Sequence, residues 1–179
     1  LIIDASNSTA EQSLLIKGAV SNLTYTGSSG SDTVNIYGAV SKSTIDLGEG
    51  DNTFSAVNAA GKAQSVSGTD IMASGTGSNT YTMGAFTVGT AGTTMNLSSG
   101  ANTINMGSIV SRGTLGLTIV AGSTTETQTL NISGSSTRLT YQGGSGADVI
   151  NVSGAMSNSS IDLGEGANVF KAFKNTTTT

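Results

Sequence analysis

The sequence predicts an all-β, right-handed parallel β-solenoid of about eight two-stranded coils, each 20–27 residues long. Three observations predict it. The chain overlays itself when shifted by 116 residues: 23–57 lies on 139–173 with 21 identities in 35 positions, and a weaker match runs back to Leu1 against Leu117. Residues 1–57 and 117–173 therefore form an internal duplication. A shorter period lies inside it, marked by Gln12, Asp32, Asn52, Asn79, Asn102, Gln128, Asp148 and Asn168 at steps of 20, 20, 27, 23, 26, 20 and 20 residues. Two residues after each marker comes an apolar pair at i and i+2, from Leu14/Ile16 through Val34/Ile36 and Ile150/Val152 to Phe170/Ala172. A period in the twenties means stacked units, none of which can bury its apolar face alone.

Each coil opens with a strand carrying its own inward pair: Ile3/Ala5, Leu23/Tyr25, Ile45/Leu47, Met95/Leu97, Ile119/Ala121, Leu139/Tyr141 and Ile161/Leu163. In the fourth coil Ile71 and Met72 compete for this position. A Gly/Ser-rich turn follows, such as Gly48-Glu49-Gly50-Asp51, then the second strand with the second pair. A polar return closes the coil, for example residues 38–43. The step of 27 places extra residues at 58–68, read as a bulging loop. Period-2 alternation of this kind marks half-buried strands. Glycine is too frequent for helix interiors, and the crossover rule favours a right-handed coil. Residues 1–175 read as one solenoid and 176–179 as a polar tail.

Composition alone would suit a low-complexity chain: no Pro, Cys, His or Trp, and 10% charged residues. The apolar pairs keep register through every repeat, which a disordered chain has no reason to do. A net charge of −4 argues against a nucleic-acid partner. No apolar run approaches a membrane span. Residue 1 opens on a strand-like stretch with no basic region or small-residue cleavage site, which suits a piece of a longer repetitive protein.

Three side-chain constellations stand out. Gln12, Asn52, Asn79, Asn102, Gln128 and Asn168 are expected to stack between coils as an amide ladder, a structural device. Asp32 with Glu49 and Asp51 one coil on, and Asp148 with Glu165, form acidic groups that Ca²⁺ would suit. The outward face of the second strand presents Thr33/Asn35, Thr53/Ser55, Thr80/Thr82, Thr103/Asn105 and Thr129/Asn131, then Val149/Asn151 and Val169/Lys171. Such an array could bind ice or glycan, although Thr also simply suits an exposed strand. Catalysis has little to stand on: there is no His or Cys, the seven Lys and Arg are scattered, and Asp46 and Asp162 lie far apart. The expectation is that the chain is not an enzyme.

Residues 143–151, Gly-Gly-Ser-Gly-Ala-Asp-Val-Ile-Asn, read G-G-x-G-x-D-x-U-x, with U a large apolar residue, and residues 27–35 come close to it. This nonapeptide resembles the repeats-in-toxin (RTX) motif. With its Thr/Ser/Gly/Ala/Asn composition, the chain looks like the β-solenoid portions of bacterial S-layer proteins and large adhesins exported by type I secretion. The resemblance implies Ca²⁺ at Asp32 and Asp148 and at the turn carbonyls. It fails at Asn52, Asn79, Asn102 and Asn168, where Asn stands for Asp. RTX rolls also carry the motif on both sides and have a shorter period. The function expected is that of a structural segment of a bacterial cell-surface lattice, fibre or adhesin stalk, whose partner is itself or other copies of its parent protein. The alternative is a recognition module for cell-surface glycan or ice.

Overall fold

The computed structural model describes residues 1–73, 75–90, 92–97, 99–122 and 124–173. The expected positions in 174–179, including the polar tail, lie outside the described residues. Among the described residues there is no helix, and every ladder between strands is parallel. The chain winds through about eight coils whose strands stack into three sheets. The first sheet has eight strands, from Ile2–Asp4 through Thr24–Thr26 to Ser160–Asp162. The second also has eight, from Ser13–Ile16 through Thr33–Ile36 to Val169–Ala172. At about 4.8 Å per parallel strand the stack is a rod roughly 35–40 Å long.

The third sheet corrects the expectation of two-stranded coils. Seven short strands, from Val20–Ser21 and Val40–Ser41 to Met156–Ser157, pair along the return segments. Residues 38–43 are therefore a side of the rod. Most of these strands turn only one residue inward: Val20, Val40, Val66, Ile109, Ser136 and Met156 occupy one column, joined by Phe86 of the longer Phe86–Val88 strand. A single inward residue makes no i, i+2 pair, so the alternation that marks the other two sheets is absent.

The insertion at 58–68 is also narrower than expected. An antiparallel bridge between Val57 and Ala63 closes it, and Asn58 Oδ1 accepts the N–H groups of Ala60 (3.1 Å) and Lys62 (2.9 Å). Val66–Ser67 is already back in the third sheet. In the fourth coil Ile71 points inward and Met72 outward.

A local rule governs the corner from the third sheet to the first. Asn22, Lys42, Gly68, Arg138 and Asn158 sit there with φ between 49° and 55°, in the left-handed region. Asn and Gly adopt this region most readily. The next residue can carry a hydroxyl that ties adjacent coils. Ser43 Oγ accepts the N–H of Leu23 (3.1 Å) and donates to Ser41 O (2.8 Å). Thr69 Oγ1 accepts from Ser43 (3.4 Å), and Ser159 Oγ accepts from Leu139 (3.1 Å).

The interior is one continuous apolar column, with Tyr25, Phe54, Tyr81, Phe86 and Tyr141 as its largest members. Two buried hydroxyls, those of Tyr81 and Ser136, have no hydrogen-bond partner among the described residues. Burial, then the charge of Asp46, pushes the Tyr81 hydroxyl pKa up. Removing an unsatisfied buried hydroxyl is neutral or favourable. Tyr81→Phe is therefore expected to leave stability unchanged or raise it by up to about 1 kcal/mol in urea unfolding. Inward Ile150→Asp is expected to cost more than about 3 kcal/mol, whereas outward Val149→Thr stays within about 0.5 kcal/mol. Equal effects for the last two would contradict the register.

Candidate functional site

The turn from the first sheet to the second is where the polar residues converge. Its backbone must bend inside a stack, so its N–H groups are buried and need acceptors. The marker column supplies them. The backbone N–H of Gln12 donates to Asp32 Oδ1 (2.8 Å), that of Asp32 to Asn52 Oδ1 (2.6 Å), and that of Asn52 to Asn79 Oδ1 (3.0 Å). The series continues from Asn79 to Asn102 (3.0 Å), Asn102 to Gln128 (3.2 Å), Gln128 to Asp148 (3.0 Å) and Asp148 to Asn168 (2.7 Å). Every step runs the same way: each side-chain oxygen takes a main-chain hydrogen from the coil before it. The amide nitrogen then closes its own turn, as when Asn52 Nδ2 donates to the carbonyls of Glu49 (3.0 Å) and Gly50 (2.9 Å).

Asp in place of Asn reverses one side of this arrangement, because a carboxylate accepts where the amide donates. The chain supplies donors to match. Asp32 Oδ2 accepts from the N–H of Ser28 (2.6 Å) and the hydroxyl of Tyr25 (3.3 Å), and its Oδ1 accepts from Ser28 Oγ (2.7 Å). Asp148 Oδ2 accepts from the Tyr141 hydroxyl (3.0 Å). Glycine makes the room for the next coil and for the carboxylate: a Cβ on Gly27 would lie 2.2 Å from Leu47 O and 2.5 Å from Asp32 Oδ2, and one on Gly143 would lie 2.4 Å from Leu163 O and 2.7 Å from Asp148 Oδ2. Two coil types result. One carries Tyr-x-Gly and then Asp (Tyr25, Gly27, Asp32; Tyr141, Gly143, Asp148), and the other Ile-x-Leu and then Asn (Ile45, Leu47, Asn52; Ile161, Leu163, Asn168). The first glycine of the nonapeptide thus clears space for a buried carboxylate.

The residues expected to share a cation do not converge. Asp32 and Asp148 are 1% and 0% exposed, with both carboxylate oxygens accepting from protein donors. Glu49 and Asp51 reach away from Asp32 toward the following coil: Glu49 Cγ would meet a Cβ on Gly75 at 2.6 Å, and Asp51 Oδ1 accepts the N–H of Ser78 (2.8 Å). Glu165 is exposed. Among the described residues no three His, Cys, Asp or Glu side chains are grouped to hold a metal ion. Ca²⁺ takes six to eight oxygens, and this donor set does not fit it.

Burial, then the charge of Asp32 and the hydrogen bond to it, pushes the Tyr25 hydroxyl from 10.0 up to about 12. The same causes, with Asp148, push Tyr141 up.

The outer faces are the other candidate surface. On the second sheet Thr33, Thr53, Thr80, Thr103 and Thr129 stand in one register column. Beside it Asn131 Nδ2 donates to Asn105 Oδ1 and Asn151 Nδ2 to Asn131 Oδ1, both at 2.9 Å, a second amide ladder on the outside. The first sheet has outward threonines of its own, Thr94, Thr118 and Thr140. They help line an open groove of about 970 Å³, bordered by Asp70, Arg138 and Leu115. Sequence reasoning missed this face, the corner hydroxyls and the tyrosine partners. The pairing of Tyr with Asp seven residues on, present in both halves of the duplication and in no Asn coil, was the signal available for the last.

No protein-family model, no curated protein and no solved structure matches the chain.

Two measurements test the assignment of Tyr25 and Asp32. Asp32→Asn alone is expected to cost about 1–3 kcal/mol, since its new NH₂ would face the donors of Ser28 and Tyr25. Adding Tyr25→Phe is expected to recover about 1 kcal/mol of that in a double-mutant cycle; strict additivity would remove the pair. The raised Tyr25 value also sets a pH window. The folded state holds its proton above the unfolded value of 10.0, so this contribution is complete below that pH and is lost as pH rises toward about 12. Tyr25→Phe is expected to flatten the fall in stability across that window.

Proposed function

We propose that the chain is a structural rod segment of an extracellular, bacterial cell-surface assembly, a lattice, fibre or adhesin stalk, that associates with its own kind. One observation carries the proposal: an unbroken ladder from Gln12 to Asn168 commits the recurring polar positions of the turns to holding coils together. The residues that would be read as a binding site are spent on the scaffold. Much of the outside is small polar side chains, interrupted by residues such as Leu15, Tyr37 and Val110, a suitable surface for a spacer. The composition and the RTX-like nonapeptide support the cell-surface setting. Calcium has no part in this reading. Titration with millimolar calcium is expected to release no heat and leave Tm unchanged, and two stoichiometric sites would overturn the ladder role of Asp32 and Asp148. Electron microscopy of the cell surface, with the chain immunolabelled, is expected to show label along a regular lattice or fibre. Label on isolated molecules or inside the cell would sink the proposal.

The in-register threonines and the groove bordered by Asp70 and Arg138 favour a second reading, recognition of glycan or ice along a flat face. A glycan array and a thermal-hysteresis assay separate it from the first.

A further inference from the structure

Two neighbouring coils widen the same corner of the rod. Elsewhere the inward position of the third sheet and that of the first lie three apart in sequence, as from Val66 to Thr69 or from Ser136 to Leu139. From Phe86 to Thr93 the step is seven, and from Ile109 to Leu117 it is eight. The extra residues are tied down. Arg112 N–H donates to Val88 O (3.2 Å), Thr93 N–H to Gly116 O (3.2 Å), and Ser111 Oγ to Leu115 O. Glycines let the two corners and the following coil close up: a Cβ on Gly116 would collide with Arg138 O, and one on Gly92 would lie 3.1 Å from Leu115 Cβ. Stacked in this way, the corners form a fixed shelf along one edge of the first sheet, with Leu115 on its rim at 53% exposure.

The shelf turns part of a flat face into a trough. Its floor is the outward column Thr94, Thr118 and Thr140, with Asn96 beside it. Thr24 and Thr44 stand on the same face away from the shelf and are exposed, whereas Thr118 and Thr140 are half-buried. Asp70 precedes Thr94 on the column, and Arg138 borders the other end from the corner of the seventh coil. Three coil steps, about 14 Å along the axis, separate the two charges. Among the described residues the side chains of Asp70, Thr94, Asn96, Thr118, Arg138 and Thr140 make no hydrogen bond or ion pair with protein. The second sheet differs, since its outer asparagines bond to one another.

We propose that this trough binds an acidic glycan, a uronic acid followed by uncharged sugars, laid along the rod axis. The proposal deepens the recognition reading above and rests on it. Each part of the trough has a match in that chemistry. The guanidinium of Arg138 presents paired donors in the geometry of a carboxylate. The threonine hydroxyls and Asn96 exchange hydrogen bonds with sugar hydroxyls, and Leu115 offers an apolar wall to the C–H face of a ring. Asp70 accepts from hydroxyls but repels a second carboxylate, so the acidic sugar sits at Arg138 and neutral sugars at Asp70. A peptide suits the trough less. Its floor strands are paired on both sides, which leaves no main-chain edge for an extended segment to join.

Calorimetric titration of the full chain at low salt tests the assignment with three tetrasaccharides. They are cellotetraose, the same chain with its non-reducing glucose oxidised to glucuronic acid, and tetragalacturonate, which is charged on every ring. The singly acidic chain is expected to bind about tenfold more tightly than either of the others, and added salt is expected to shrink that advantage. Arg138→Gln is expected to remove the advantage over cellotetraose, with Arg138→Lys keeping part of it. Asp70→Asn is expected to tighten tetragalacturonate several-fold, and Leu115→Ser to weaken all three chains. Thr53→Val, on the second sheet, is expected to change nothing. Unfolding curves of each variant establish that the coils are intact. Equal binding of the acidic and neutral chains, or an advantage that survives Arg138→Gln, overturns the proposal. Tighter binding of a peptide of equal length and charge overturns it as well. Glycan binding that Thr53→Val abolishes and the trough variants leave intact rejects the trough but keeps the recognition reading. An empty glycan array with no thermal hysteresis rejects both.

Discussion

The whole rod depends on the buried N–H groups of one turn. A coil of about 20 residues bends sharply between its first two strands, and the bend faces the stack. An unpaired buried N–H costs about 1–3 kcal/mol, and no coil can satisfy its own. The acceptor always comes from the next coil, through Asp32 to Gln12 or Asn52 to Asp32. Each unit is therefore incomplete alone in two senses, polar and apolar, and both defects are cured by the same neighbour. Stability then resides in nearest-neighbour contacts, as expected of a one-dimensional array.

The same constraint explains why the coils may differ so widely elsewhere. Spacing between markers ranges from 20 to 27 residues, yet the register across each interface never slips. The added residues are accommodated away from the marker turn, as at Asn58, where the insertion closes on itself before Val66 rejoins the stack. The marker may also change chemistry, provided its surroundings change with it. Asp at 32 and 148 comes with tyrosine, glycine and new donors, so carboxylate and amide coils share one ladder without leaving the column.

Much of this was legible in the sequence, and the limits of legibility are physical. The first two sheets carry inward pairs, and a period of two survives even among glycines and serines. The ladder column was readable because its residues recur at a fixed offset from those pairs. The third sheet was not, since one inward residue such as Val40 or Ser136 carries no period at all. The lean of the acidic side chains was not legible for a different reason. Sequence places Asp32, Glu49 and Asp51 at neighbouring heights but does not say which way a side chain leans. Glu49 and Asp51 lean toward the coil above, and Asp32 points inward. The nonapeptide admits two readings, because its glycine has two physical uses. It can shape a turn that offers carbonyls to a cation, or it can clear space for a carboxylate that protein donors already satisfy.

That second use bears on what the surface can do. A turn committed to the ladder has few free acceptors left for an external ligand, so recognition, if the rod performs any, must come from its flat sides. Those sides differ. The second sheet pairs a threonine column with an asparagine column whose amides bond to one another from Asn151 to Asn105, which rigidifies them and uses some of their donors internally. The first sheet keeps its threonines beside a groove flanked by Asp70 and Arg138. Charge of both signs at the border of a polar floor provides orientation that a uniform threonine face does not. The first sheet therefore carries charge of both signs beside its threonines, while the second, apart from Lys171, presents uncharged side chains.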